Sequence, residues 1–346
     1  MKFEEYMIMN VANGFMGTYV LYTACQLKVF DYLARQKKTA GELAKEMNVT
    51  ESSLMRILRP LVAYKILSAD ENGGFGLESA GKMLISYGED SLWAYVMFCG
   101  KESMKVWENI YPAMVNHCLP KDLLEEKEIF ETQKKDGKKF ELFDGMMKRV
   151  SKSVELSAFF EKYGNQDKAY RIVDVGGGTG TIIIKFLQNF KNSRGTVIDL
   201  EAAKQGALEN IKQNGLAHRC NFKTGNFFEP LDTEADIYIL SRVLHDWEDE
   251  KAGVILKNVS AGMRENAKLV ILEGLMPDNV AEGKVEMYMN DLQMWGFCGG
   301  KERTKEEFRT LLESCGMHIA EVINVSEDNT LSAIIAEKTK MEEWIF

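Results

Sequence analysis

Residue types that can do chemistry gather in a few short stretches of this chain. Asp174-Val-Gly-Gly-Gly-Thr-Gly180 ends the β-branched run that starts at Arg171 and leads into the helical-looking Ile182–Asn189. Only glycine lets backbone amides approach a ligand closely at a strand end, and the helix N-terminus beyond favours negative or polar groups. The stretch therefore reads as a loop for a nucleotide-type cofactor. Asp199 closes the next strand, Gly195-Thr-Val-Ile-Asp199, at about the spacing where a carboxylate meets a ribose diol. A third stretch, Ser241-Arg-Val-Leu-His-Asp-Trp-Glu-Asp249, brings an imidazole, carboxylates and an indole to the end of another strand. Taken singly, each has a plainer account: a tight turn, a cap for the helix after Asp199, a histidine buried for packing.

Spacing narrows the cofactor. A dinucleotide fingerprint counted from Gly176 needs glycine at position 181, which is Thr181, and no Gly-Lys-Ser/Thr follows as a P-loop requires. The remaining pattern, Asp174-x-Gly-x-Gly-x-Gly180, resembles motif I of the Rossmann-like S-adenosylmethionine methyltransferases. Joined by Ser241–Asp249, Gly225-Asn-Phe-Phe-Glu-Pro230 and Gly299-Gly-Lys-Glu-Arg-Thr304, it is similar to the plant-type, metal-independent small-molecule O-methyltransferases, over nearly the whole chain.

That resemblance implies roles. His245 matches the catalytic base, and Glu273 and Glu302 match the two glutamates that flank it. Asp174, Gly176, Gly178, Asp199, Leu200, Asn226, Phe227, Ser241, Arg242 and Trp247 fall at the cofactor positions. Met147, Asp246, Asp291, Met294 and Trp295 fall where the family lines its acceptor pocket. Asn226 stands where the family often has Asp, and Ser241 where plant members commonly have Lys. The chemistry agrees: methyl transfer from a sulfonium to oxygen needs a base to expose the lone pair and a held in-line geometry. A small aromatic acceptor suits methionine and aromatic walls. The implied partner is a second copy of the chain, as homodimer.

Length and composition set the frame. At 346 residues two cores are expected, and 45% hydrophobic residues can fill them. A net charge of -9 disfavours nucleic acid and anionic membrane, which need a basic face. The six cysteines show no C-x-x-C pair, and His117-Cys118 and His218-x-Cys220 lack metal-site spacing, so free thiols, no metal and a cytoplasmic setting are expected. No segment reads as a signal peptide or a membrane span.

The elements that must position these residues follow. The expected fold class is α/β: a Rossmann-like class I methyltransferase sheet preceded by an all-helical winged-helix dimerisation domain. Residues 1–100 form the latter, 101–164 a helical connector contributing to dimer and substrate pocket, and 165–346 the cofactor-binding catalytic domain. Tyr6–Leu33 carries apolar residues at helical spacing and reads as packed helices. Thr39 with Glu42 makes a capping box, Asn48-Val49-Thr50 a connection to a second helix, and two short β segments flank Asn72-Gly73-Gly74 as a wing. A winged helix raises DNA binding as a rival, but residues 1–100 hold eleven acids against ten bases, without the basic excess of a DNA footprint. The apolar face of that second helix is expected to meet a partner subunit. Lys134–Lys139 reads as a charged loop, followed by the helical stripe Phe140, Phe143, Met146, Met147 and Val150. Beyond Arg171, five strands alternate with helices, and a hairpin of Ile319–Val325 and Thr330–Ala336 turns at Glu327–Asn329. Rival activities on the same fold are methylation of N or C, and use of the cofactor without methyl transfer.

Overall fold

Seven strands form the main sheet: β4 (Arg171–Val175), β5 (Arg194–Asp199), β6 (Cys220–Thr224), β7 (Ile237–Ser241), β8 (Lys268–Glu273), β11 (Met317–Asn324) and β12 (Ser332–Lys338). In this computed structural model, which describes residues 2–88, 90–124, 137–164, 167–326 and 330–339, their order is β11-β12-β8-β7-β4-β5-β6. Strands β4 to β8 are parallel, and β12 and β11 close the sheet antiparallel at one edge. The expected strands and hairpin are all present; the tip at Glu327–Asn329 lies outside the described residues. Valine, isoleucine and leucine dominate the inner strands β4, β7 and β8 because both faces are covered. One face packs on the helices Asp249–Gly262 and Lys305–Glu313, the other on Ser157–Tyr163, Thr181–Asn189 and Lys204–Gln213.

Strand order reverses between β4, which leads outward to β5 and β6, and β7, which leads outward to β8. The two are hydrogen-bonded neighbours, so the glycine loop after β4 and the His245 turn after β7 open side by side at the topological switch point. A further two-stranded parallel ladder pairs β9 (Leu275–Met276) with β10 (Arg303–Thr304) just beyond the end of β8.

The N-terminal region has its own core of Phe30, Leu33, Leu43, Leu54, Leu58, Leu61 and Leu67. Thr39 and Glu42 exchange the two bonds of the capping box, and Asn48 ends that helix in the left-handed conformation. The region is not all-helical. β1 (Lys38–Thr39), β2 (Leu67–Ala69) and β3 (Gly74–Leu77) form an antiparallel sheet in the order β1-β3-β2, with Gly73 at φ +77° in the wing turn. The second helix, Glu51–Ala63, buries Leu54, Leu58 and Leu61 inside its own unit and leaves Met55, Ile57 and Val62 partly exposed. The helix Phe3–Ala12 buries none of its residues: Phe3 is 76% exposed and Val11 75%.

The described residues divide into two compact units, one within Met1–Glu108 and Lys135–Arg149, the other within Asn109–Lys134 and Val150–Phe346. The 101–164 stretch is thus shared between the two units rather than forming a connector of its own. Residues 137–139 open the helix Gly137–Lys152 instead of belonging to a charged loop, and 134–136 lie outside the described residues. No helix among the described residues is long and apolar enough to cross a membrane.

Candidate active site

The glycine loop is shaped by its backbone. Gly176, Gly178 and Gly180 adopt φ of +70°, +52° and +73°, which side chains with a Cβ rarely tolerate. Around the position a Cβ would take on Gly178 no atom lies within 4 Å, so the loop leaves open space there. Asp199 tightens the loop from the neighbouring strand, its carboxylate accepting from the Gly178 amide at 2.7 Å and from the Leu200 amide at 2.6 Å. It does not cap the following helix. Asp174 is buried beneath the loop, where Oδ2 takes the Ile183 amide at 3.3 Å and Oδ1 has no partner. Burial, reinforced by Asp199, pushes its carboxyl up to about 7.

Beside the loop, Phe227, Phe228 and Trp247 pack edge to face, with Phe228 and Trp247 centroids 4.8 Å apart. The indole Nε1 of Trp247 is buried without a hydrogen-bond partner. Asn226 folds its own loop by accepting from the Phe228 amide at 3.1 Å. Open space at Gly178, an unmet buried indole donor, an unmet buried carboxylate oxygen and an aromatic wall together fit an adenosyl cofactor with a charged amino-acid tail. Leu200 stands exposed at the rim, and Ser241 closes β7 partly buried.

The turn after β7 starts with Arg242 at φ +54°, a left-handed backbone that a bulky residue holds only when its surroundings impose it. His245 follows, 6% exposed. Its Nδ1 lies 2.8 Å from Glu302 Oε1 and 3.4 Å from Glu273 Oε2, and its Nε2 lies 3.7 Å from Asp246 Oδ1. Burial alone would lower the ring's hold on a proton. Glu273 and Glu302, with Asp246, outweigh it and push His245 up to about 10.

The ladder of β9 and β10 explains how glutamates 29 positions apart in sequence converge. Glu273 ends β8, and pairing Leu275 with Arg303 sets Glu302 beside it. Glu273 Oε1 accepts from the amides of Val243 and Leu244, fixing the turn as well as facing the ring. Glu302 is held in turn: Asn290 donates to its Oε1, and its amide donates to Asp291 at 2.8 Å. Asp291, expected in the acceptor pocket, thus supports Glu302. Asp246 does not cap the helix at Asp249, whose N-cap is Glu248; its Oδ1 faces His245 and the Cys298 thiol. Met294 and Trp295 are partly buried on the helix Val285–Cys298, and Met147 belongs to the other unit.

Arg303 was not among the expected site residues, although it lies in the Gly-Gly-Lys-Glu-Arg-Thr run. Fully buried, it donates to the carbonyls of Leu244 and Trp247 at 2.9 and 2.7 Å and to Asp249 at 2.9 Å. A Cβ on Gly300 would stand 1.9 Å from the His245 carbonyl oxygen. Segment 300–303 therefore grips the His245 turn from its ring side and its backbone side together.

Comparison with known proteins decides the family. A model described as the O-methyltransferase domain matches residues 116–318, and one described as the O-methyltransferase dimerisation domain matches 9–86. The chain belongs to the O-methyltransferase family. This O-methyltransferase is 27% identical over 326 residues to phenazine O-methyltransferase PhzM of Lysobacter antibioticus, covering 91% of this chain and 92% of that one. It superposes on the crystal structure of LaPhzM with a TM-score of 0.89 at 25% identity, covering 97% and 99%. NcsB1, an O-methyltransferase from neocarzinostatin biosynthesis solved with S-adenosylmethionine and 2-hydroxy-5-methyl naphthoic acid, matches with a TM-score of 0.77 at 25% identity, covering 93% and 96%. The O-methyltransferase is accordingly S-adenosylmethionine-dependent, and its family acts on aromatic secondary metabolites.

Proposed function

We propose that this chain methylates a hydroxyl of a small aromatic acceptor, with His245 taking the hydroxyl proton. The observation that carries the reading is the asymmetry of the ring. Nδ1 faces two glutamates, so in the neutral imidazole the proton sits on Nδ1 and the lone pair on Nε2. Nε2 then accepts the acceptor's proton, and the imidazolium formed is stabilised by Glu273 and Glu302. Bound S-adenosylmethionine supplies an electrophilic methyl on sulfur. Gly176, Gly178, Asp199, Leu200, Asn226, Phe227, Ser241, Arg242 and Trp247 are the residues to hold it, with Asp174 shaping the loop from below. Asp246, Met294 and Trp295 are the candidates to line the acceptor. The relatives' naphthoate and phenazine names support a flat, fused-ring acceptor.

The assignment is tested with labelled S-adenosylmethionine and a panel of phenols, where label in an alkali-stable ether is the expected product. His245→Gln is expected to lower transfer to a phenol of ordinary acidity by roughly 10²–10⁴-fold while cofactor binding stays near wild type. Activity is expected to fall as pH drops through the His245 pKa of the loaded enzyme. Glu273→Gln, whose Oε1 can still accept both turn amides, is expected to move that limb to lower pH because one negative neighbour is gone. Near-full turnover of His245→Gln on such a phenol, or label appearing on nitrogen or carbon, would defeat the reading.

A further inference from the structure

Carboxyl groups outnumber the one imidazole around His245. Glu273 faces it from β8, Glu302 from the segment before β10 and Asp246 from its own turn, while Asp291 reaches Glu302 from the helix Val285–Cys298. The same helix contributes Asn290 and the Cys298 thiol, both uncharged; burial pushes that thiol far above its usual range. On the positive side, Arg242 at the end of β7 favours the charged form of Glu302. Arg303 is taken up by Asp249 and two carbonyls, and Lys301 by Asp249 and Glu307. Four carboxylates thus stand against Arg242 and whatever positive charge His245 carries. Glu273, Asp246 and Asp291 are each pushed up, first by burial, and Glu302 is held down by the charged ring and Arg242 despite burial. Such a cluster favours positive charge beside the ring.

We propose that the cluster is a shared seat for one mobile positive charge, either the proton on His245 or the sulfonium of the donor. Loading the charged donor then expels a proton to solvent and leaves Nε2 able to act as base. The inference rests on the reading that His245 serves the acceptor oxygen: that oxygen lies on the Nε2 side of the ring, the side Asp246 faces, so the donor's positive charge comes near the imidazole and competes with its proton for the cluster's field. The charges balance through the reaction. The carbon–sulfur bond breaks as the carbon–oxygen bond forms, the oxygen–hydrogen bond breaks as Nε2–H forms, and one positive charge passes from sulfur to imidazole. The neutral thioether product no longer competes with that proton, so the cluster favours donor entry over product retention once His245 has lost its charge again.

Calorimetry of the full chain without acceptor, in two buffers of different ionisation enthalpy, counts the protons exchanged on binding. Near pH 8, S-adenosylmethionine is expected to release roughly half a proton or more per site, and S-adenosylhomocysteine close to none. Sinefungin, with an ammonium group in place of the sulfonium, is expected to behave like the donor. The donor-to-product affinity ratio should fall with decreasing pH, by up to about tenfold per unit. His245→Gln should abolish the difference in proton count, and Glu302→Gln, which keeps the ring, should shrink it. Equal proton counts for donor and product in the unmodified protein, or full release in folded His245→Gln, would overturn the proposal. Because no acceptor is present, the base assignment is judged separately: loss of turnover in His245→Gln alongside equal counts keeps the base and discards the shared seat.

Discussion

The carboxylate of Asp199 serves its own loop before it serves a ligand. Both oxygens already accept backbone amides, so a ribose diol would share acceptors that hold Gly178 in place. Asp199→Ala is therefore expected to weaken S-adenosylmethionine by more than one lost hydrogen bond, roughly 2–4 kcal/mol by calorimetry, with NAD showing no comparable binding in either protein. A weakening below about 1 kcal/mol would show that the loop holds its shape unaided. His245 carries a second consequence, for the fold. A group raised in the folded state binds its proton more tightly there than in the unfolded chain. Its stabilisation is full below an unfolded value near 6.5 and is lost as pH rises through about 10. The melting-temperature difference between the unmodified protein and His245→Gln is expected to shrink steadily from pH 6 to about pH 10, and a difference that stays flat would contradict the charged ring. Residue type and motif order were enough to single out His245, Glu273 and Glu302 through a family resemblance. Their contact distances and the duties of Asp199 and Asp291 were not legible, because a carboxylate looks the same in sequence whether it faces a ligand or an amide.

At the level of elements, every strand of the main sheet was readable; the inner strands β4, β7 and β8, buried on both faces, write themselves as valine, isoleucine and leucine runs, and the remaining strands were placed by their alternation with helices and by the closing hairpin. The β9–β10 ladder was not. Two strands of two residues have no periodicity to detect, yet they bring Glu302 to Glu273 and Arg303 under the His245 turn. Arg303→Met would leave the carbonyls of Leu244 and Trp247 without their buried donor. It is expected to lower kcat by tenfold or more and to reduce thermal stability, whereas Arg303→Lys should recover only part of kcat because an ammonium cannot span three acceptors in the guanidinium's plane. Full activity in Arg303→Met would mean that Glu273 alone fixes the turn. Arg303 escaped notice for a physical reason: a buried arginine and a surface arginine differ only in what folds around them.

At the scale of the molecule, the N-terminal periodicity was legible as packed helices, and Ala24, Cys25, Val29, Phe30 and Leu33 are buried as such, but the first helix, Phe3–Ala12, buries none of its residues. Phe3, Tyr6, Met7, Ile8, Met9 and Val11 are all exposed, and they point to every side of their helix rather than forming one stripe. Apolar side chains on several sides of one helix call for a covering surface, here one that the described residues of a single copy do not supply. With the dimerisation-domain match over residues 9–86, this supports a homodimer. Light scattering is expected to report about twice the monomer mass, and a stable monomer at micromolar concentration would refute it. The unburied first helix also bears on how this enzyme's output responds to its own concentration. If pairing is what shelters those side chains, the specific activity per mole of chain is not a constant. It declines on dilution once the protein falls below its own dissociation constant, and recovers on concentration with no change in either substrate.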